Sequence, residues 1–168
     1  LLKRMDLCHL GFWLGLGAYF LGDDPRLPSL GQAVISAQLE DGGWNCHMRN
    51  RPATRHGSFH TTFNVLENLR IASVKAIVPE DLFSDSELRA AKFMLSHRMY
   101  RSDHTGEVIS ERFTHLTYPW HWHYTVLPGL IDLHTHIADV GQSADVALPL
   151  KTSLSDTSAI GAKNAEAT

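Results

Sequence analysis

The densest run of residues that could do chemistry is Tyr118-Pro119-Trp120-His121-Trp122-His123-Tyr124. Aromatic faces stabilise cations and pack along prenyl chains, so such a run can wall a pocket for an apolar or cationic ligand. The same side chains at the start of a helix read equally well as ordinary core. A second cluster is Asp41, Cys46 and His47, at a spacing that fits no zinc pattern and suits a packed loop. Arg98, Arg101, Asp103 and Glu107 form a charged patch whose arginines could hold a diphosphate or could pair within a solvated loop. His134 and His136 suit the carboxyl end of a helix, where cationic imidazoles complement the dipole.

The elements that must position these residues form a repeat. His60-Thr61-Thr62-Phe63-Asn64-Val65-Leu66 returns as His121-Trp122-His123-Tyr124-Thr125-Val126-Leu127, and a weaker copy opens at His9-Leu10-Gly11-Phe12-Trp13-Leu14. The intervals are 51 residues from His9 to His60 and 61 from His60 to His121. In each copy a histidine opens an apolar stretch with helical spacing. The segment from Ala33 to Gln38 overlays Lys92 to His97 in the same sense, so one unit is a helix, a loop and a second helix. A lone hairpin cannot bury its apolar side, and neighbours must cover it.

The pattern predicts an all-α fold of layered hairpins, with helices near 7–21, 28–39, 58–75, 85–100 and 120–137. Asp23-Asp24-Pro25 ends the first and caps the second, Asp41-Gly42-Gly43 turns after the second, and Ser58 caps the third. Ser84 or Asp85 with Glu87 reads as a capping box for the fourth. Pro119 suits a first turn, whereas Pro128 falls inside the fifth helix, where it should kink it or cost about 3 kcal/mol. The repeat domain spans 1–137; residues 138–168 lack aromatics, have little to bury and read as an atypical, disordered tail.

Composition limits the function. With 168 residues, 43% hydrophobic and 20% charged, and a net charge of −3, the chain can build one core and carries no nucleic-acid footprint. Two cysteines, Cys8 and Cys46, are too few for a disulfide scaffold and are expected to be reduced in a cytoplasmic protein. The apolar run from Leu10 to Leu21 is shorter than the roughly 20 residues of a membrane span. An unpaired fifth helix and a first residue other than methionine point to a fragment, which would self-associate where an incomplete ring bares an apolar edge.

Gln38-Leu39-Glu40-Asp41-Gly42-Gly43-Trp44 resembles the Q-x-x-x-G-x-W repeat core of squalene and hopene cyclases. There the glutamine ends an outer helix, the glycine turns, and the indole stacks on the preceding helix end, a structural role for Gln38, Gly42 and Trp44. The helices at His60 and His121 resemble inner helices of the terpenoid cyclase and protein prenyltransferase superfamily, whose fold is an α/α toroid. The strings DGGWNC, SFHTTFNVLENLR and MLSHRMYRSDHTGEV are closest to bacterial squalene-cyclase-like proteins without a settled activity. The cyclase acids D-x-D-D and D-D-x-x-D are absent from the chain.

Protein prenyltransferase β subunits resemble the chain at Asp6-Leu7-Cys8 and at His60-Thr61. That likeness implies a zinc ion held by Asp6, Cys8 and His60, a ligand set with suitable chemistry and one open position. His9, Phe12, Phe63, His121, Trp122 and Tyr124 would line the lumen for a hydrophobic, isoprenoid-type substrate. Two functions remain open: an enzyme of this superfamily, with zinc as cofactor, or a non-catalytic helical-repeat module that binds a lipid or a partner protein. A truncated relic without activity is a third.

Overall fold

The computed structural model describes residues 6–46, 54–117 and 123–127, all within one compact unit, Leu1–Gly129. Among them there are four α-helices and no strand: α1 (Leu7–Phe20), α2 (Leu27–Ile35), α3 (Phe59–Val74) and α4 (Glu80–Ser96), followed by a 3₁₀ turn at Glu111–Thr114. The described residues are consistent with the all-α class that the periodicity predicts. The expected fifth helix does not begin at 120, since residues 123–125 are not helical and helix is present only at 126–127; Pro119, Pro128 and the boundary at 137/138 lie outside the described residues.

The longest contact runs between α1 and α3. A side chain at Gly11 would meet Asn64 and the backbone of Val65, and one at Gly15 would strike Asn68. Both contacts advance in the same direction along the two helices, so α1 and α3 lie parallel and side by side. Lys75 sits 5.9 Å over the Tyr19 ring, which joins the far ends of the same pair. Two glycines four apart present a flat strip on one helical face, and here it lets the backbones approach. The core around this contact holds Leu14, Val34, Trp44, Val65, Leu69, Ala72 and Val78, all essentially without exposure.

Helix boundaries follow the sequence for α1 and α3 and depart from it for α2 and α4. α2 ends at Ile35 rather than 39, because the backbone tightens at Ser36 and Ala37: the Ala37 N–H donates to Val34 O and that of Gln38 to Ile35 O. Gln38 therefore stands past the end of its helix instead of closing it. α4 begins at Glu80, five residues before the expected start, and Pro79 is its N-cap. Proline loses nothing there, since the first amides of a helix have no intrahelical acceptor. Glu80 and Asp81 fill the first turn, where carboxylates complement the dipole. Ser84 and Asp85 are interior residues and form no capping box. α4 stops at Ser96 rather than 100 because Arg98 and Met99 take left-handed φ values of 46° and 70°.

Ser58 does stand at the N-cap of α3, but its side chain makes no capping bond. Its amide donates to Trp44 O instead, fastening the helix start to the loop before it. Asp24 accepts the Arg26 amide and both Nε and Nη2 of its guanidinium, at 2.9, 2.9 and 2.6 Å. Those hydrogen bonds hold the Asp24 carboxyl down to about 2. α3 and α4 are joined by the half-buried Arg70–Glu87 ion pair at 2.5 Å and by Ser73 Oγ donating to Glu80.

Candidate functional site

The residues of the Q-x-x-x-G-x-W segment form a closed tie between elements. Gln38 Nε2 donates to Gly42 O at 2.8 Å and to Ser86 O of α4 at 2.9 Å. Gly42 takes φ +91°, and a Cβ there would lie 2.2 Å from Arg89 O, so both backbone conformation and space require glycine. Trp44 is fully buried and its Nε1 donates to Val34 O at 2.8 Å, sealing the end of α2. Asp41 accepts the Gly43 and Gly57 amides at 2.9 and 2.6 Å, and Arg89 Nη2 donates to Leu39 O at 2.7 Å. These side chains are committed to holding the loop.

Asp6, Cys8 and His60 do not form a three-ligand group in this structure. No group of three or more His, Cys, Asp or Glu side chains among the described residues could hold a metal ion. Asp6 is the N-cap of α1. Cys8, in the first turn, has its partner elsewhere: its amide donates to Cys46 Sγ at 3.2 Å. Thr61 Oγ1 donates to the same sulfur at 3.4 Å. Burial pushes the Cys8 thiol up to about 12, and its hydrogen bond and charge interaction with Cys46 add to the rise. Cys46 is thus tied to Cys8 and Thr61, while Asp41 serves the turn, and His47 lies outside the described residues.

His60 faces rings rather than ligands. It packs 5.6 Å from Phe113, 5.9 Å from His123 and 6.4 Å from Tyr124, centroid to centroid. Burial lowers its pKa, and a charge on His123 lowers it further. The imidazole is consequently neutral at neutral pH. Tyr124 is also enclosed: it is 2% exposed, stacks with Phe59 and Phe113 at 5.2 and 5.1 Å, and donates its hydroxyl to Met99 O at 2.9 Å. Burial raises its pKa. Phe93 and His97 complete this aromatic knot on Phe59, at 5.4 and 5.3 Å. Tyr124 is therefore core, while His121 and Trp122 lie outside the described residues.

The patch around the loop after α4 is occupied internally. Arg101 Nη1 donates to Gly106 O at 2.8 Å and its guanidinium lies 5.0 Å over the Tyr100 ring. Asp103 stands 3.7 Å from both His97 and His104.

Most of the exposed large apolar side chains among the described residues lie on α1 and α3. At about 100° per residue, His9, Trp13, Leu16 and Phe20 align on one side of α1, opposite Leu10, Leu14 and Ala18 of the core. Trp13 is 59% exposed and Phe20 72%, with Leu16, Tyr19 and Leu21 also exposed. On α3 the corresponding side carries His60, Phe63, Glu67, Ile71 and Val74, of which Val74 is 80% exposed. Of the residues expected to line a lumen or hold a metal, His9 and Phe12 lie on α1 and His60 and Phe63 on α3. His9 is exposed, and Phe12 and Phe63 are half-buried. Sequence reasoning named those four residues but missed Trp13, Leu16 and Phe20, whose four-three-four spacing after His9 was the available signal.

No protein-family model, curated protein or solved structure matches this chain.

Proposed function

We propose that this chain is a binding module built of stacked helical hairpins of the α/α-toroid type, and that it takes a hydrophobic ligand of the isoprenoid or lipid class on the side shared by α1 and α3. One observation carries this reading: α1 is apolar all round, yet Trp13, Leu16, Tyr19 and Phe20 on it are exposed. A helix of that composition is normally buried on every side, and contiguous exposed apolar surface marks an interaction site. Parallel packing of α1 on α3 supports the stacked arrangement, since equivalent helices of successive hairpins lie side by side in such folds. Trp13, Leu16, Tyr19 and Phe20 supply area, and Ile71 and Val74 extend it. This binding does not call on a zinc ion held by Asp6, Cys8 and His60.

The four-three-four spacing of His9, Trp13, Leu16 and Phe20 favours a second reading, in which the seam receives a helix of a partner protein. Titration with a fluorescent farnesyl or geranylgeranyl probe separates the two. Saturable binding that shifts the emission of Trp13, and weakens about tenfold or more in Trp13→Ala or Phe20→Ser, is the expected result. Binding that is unchanged in both variants, or absent at every chain length, overturns the ligand reading. Retention of a helical partner peptide by the native chain and not by Phe20→Ser then establishes the second.

A further inference from the structure

Cys8 and Cys46 are separated by 38 positions in the sequence, yet they meet where the first turn of α1 reaches the loop after Trp44. The Cys8 backbone nitrogen lies 3.2 Å from Cys46 Sγ. Both cysteines are free and half-exposed. Their surroundings are not equivalent. Cys46 Sγ accepts two hydrogen bonds, from the Cys8 amide and from the Thr61 hydroxyl, which hold that sulfur at the first turn of α1. We infer that Cys8 and Cys46 form an oxidisable dithiol site, in which hydrogen peroxide converts the pair into an intramolecular disulfide with Cys46 as the attacking sulfur.

The chemistry balances without a metal. The Cys46 thiolate attacks one oxygen of the peroxide, the O–O bond breaks, and the departing hydroxide takes the proton released from Cys46 and leaves as water. Cys46 is then a sulfenic acid. The Cys8 sulfur attacks the Cys46 sulfur, the S–O bond breaks, and the second hydroxide leaves as water with the Cys8 proton. In sum two thiols and one peroxide give one disulfide and two waters. A neighbouring resolving thiol is what directs a sulfenic acid to a disulfide rather than to higher oxides. The product ties the first turn of α1 to the loop that leads into α3, closing a covalent ring around α1, α2 and the Gln38–Trp44 tie.

The native chain is the first test. After brief exposure to a small molar excess of hydrogen peroxide, the expected product is a monomer lighter by two hydrogens, with Cys8 and Cys46 in one cross-linked peptide and both thiols restored by dithiothreitol. Covalent dimers, separate sulfinic or sulfonic acids, or thiols that still react fully with iodoacetamide would each overturn the inference. The direction of attack is read from single variants. Cys8→Ser should accumulate a sulfenic acid at Cys46 that dimedone traps, and Cys46→Ser should trap none at Cys8. The reverse pattern overturns Cys46 as the attacking sulfur, and the native-chain result stands whether or not either variant folds.

Discussion

The loop from Gln38 to Trp44 and the outer side of α1 both carry large aromatic and aliphatic residues, and the structure treats them in opposite ways. In the loop Trp44 is sealed, Gly42 is pressed against Arg89 O, and Asp41 accepts two backbone amides. On α1, Trp13 and Phe20 are largely exposed. The difference teaches that the segment with the most recognisable motif is committed to architecture, whereas the surface available for recognition lies on a helix with no motif. It also separates the effects of mutation: damage to the loop should cost stability, and damage to the outer side should cost binding alone.

The sharpest way to break that comparison is Trp44→Ala. Removing a fully buried indole, together with its bond to Val34 O, should destabilise the fold by about 3–5 kcal/mol, measured by urea denaturation. A loss below about 1 kcal/mol would show that the loop is not a tie. Gly42→Ala comes next, with an expected cost of about 1–3 kcal/mol from left-handed strain and more from the contact with Arg89 O. The same measurement checks it, and Asn at this position should be tolerated better than Ala because it enters the left-handed region more readily.

A pH series sharpens the comparison at α3. His60 has a folded pKa below its unfolded value, so the unfolded chain binds the extra proton first as pH falls through the 6.5 of free imidazole. The His60 contribution should therefore leave stability flat above that pH and reduce it below. His60→Phe should abolish this component of the acid loss in a thermal-melt series between pH 7.5 and 5; an unchanged slope would contradict it.

Smaller still is Ala76→Gly. Ala76 holds φ 57° where the chain turns from α3 towards α4, and releasing that strain should raise stability by about 0.5 kcal/mol after the entropy of glycine is counted. Calorimetric melting checks it, and a fall in Tm would mean that the turn is not strained. At the bottom of the scale, Trp13→Ser and Phe20→Ser should leave stability within about 0.5 kcal/mol while removing probe binding. Destabilisation of several times that size would mean that this side of α1 is already covered.

Legibility in the sequence tracked locality. α1 and α3 were readable because their apolar spacing runs without interruption to residues that stop it. α2 and α4 were not, for opposite reasons: the Gln38 amide is drawn into a tie with Ser86, so the apolar pattern outruns the helix, and Pro79 starts α4 ahead of the polar signal at Ser84 and Asp85. The roles of Gln38, Gly42 and Trp44 arise within seven positions and could be read from them. The approach of Cys8 to Cys46 depends on how α1 lies on α3, a packing choice that two isolated cysteines do not encode. The apolar circumference of α1 announced burial, but it could not say which half would be covered; Gly11 and Gly15 decided that by admitting Asn64, Val65 and Asn68.

The parallel seating of α1 on α3 has a consequence for symmetry. The strip that α1 offers, Gly11 and Gly15, differs from the strip that α3 offers in return, so the contact is directional and is not its own mate under a two-fold rotation. Iterating a directional contact either closes into a cyclic array or propagates as an open filament, according to the rotation gained at each step. A further helix seated by the same contact would add in one direction and would not pair like faces.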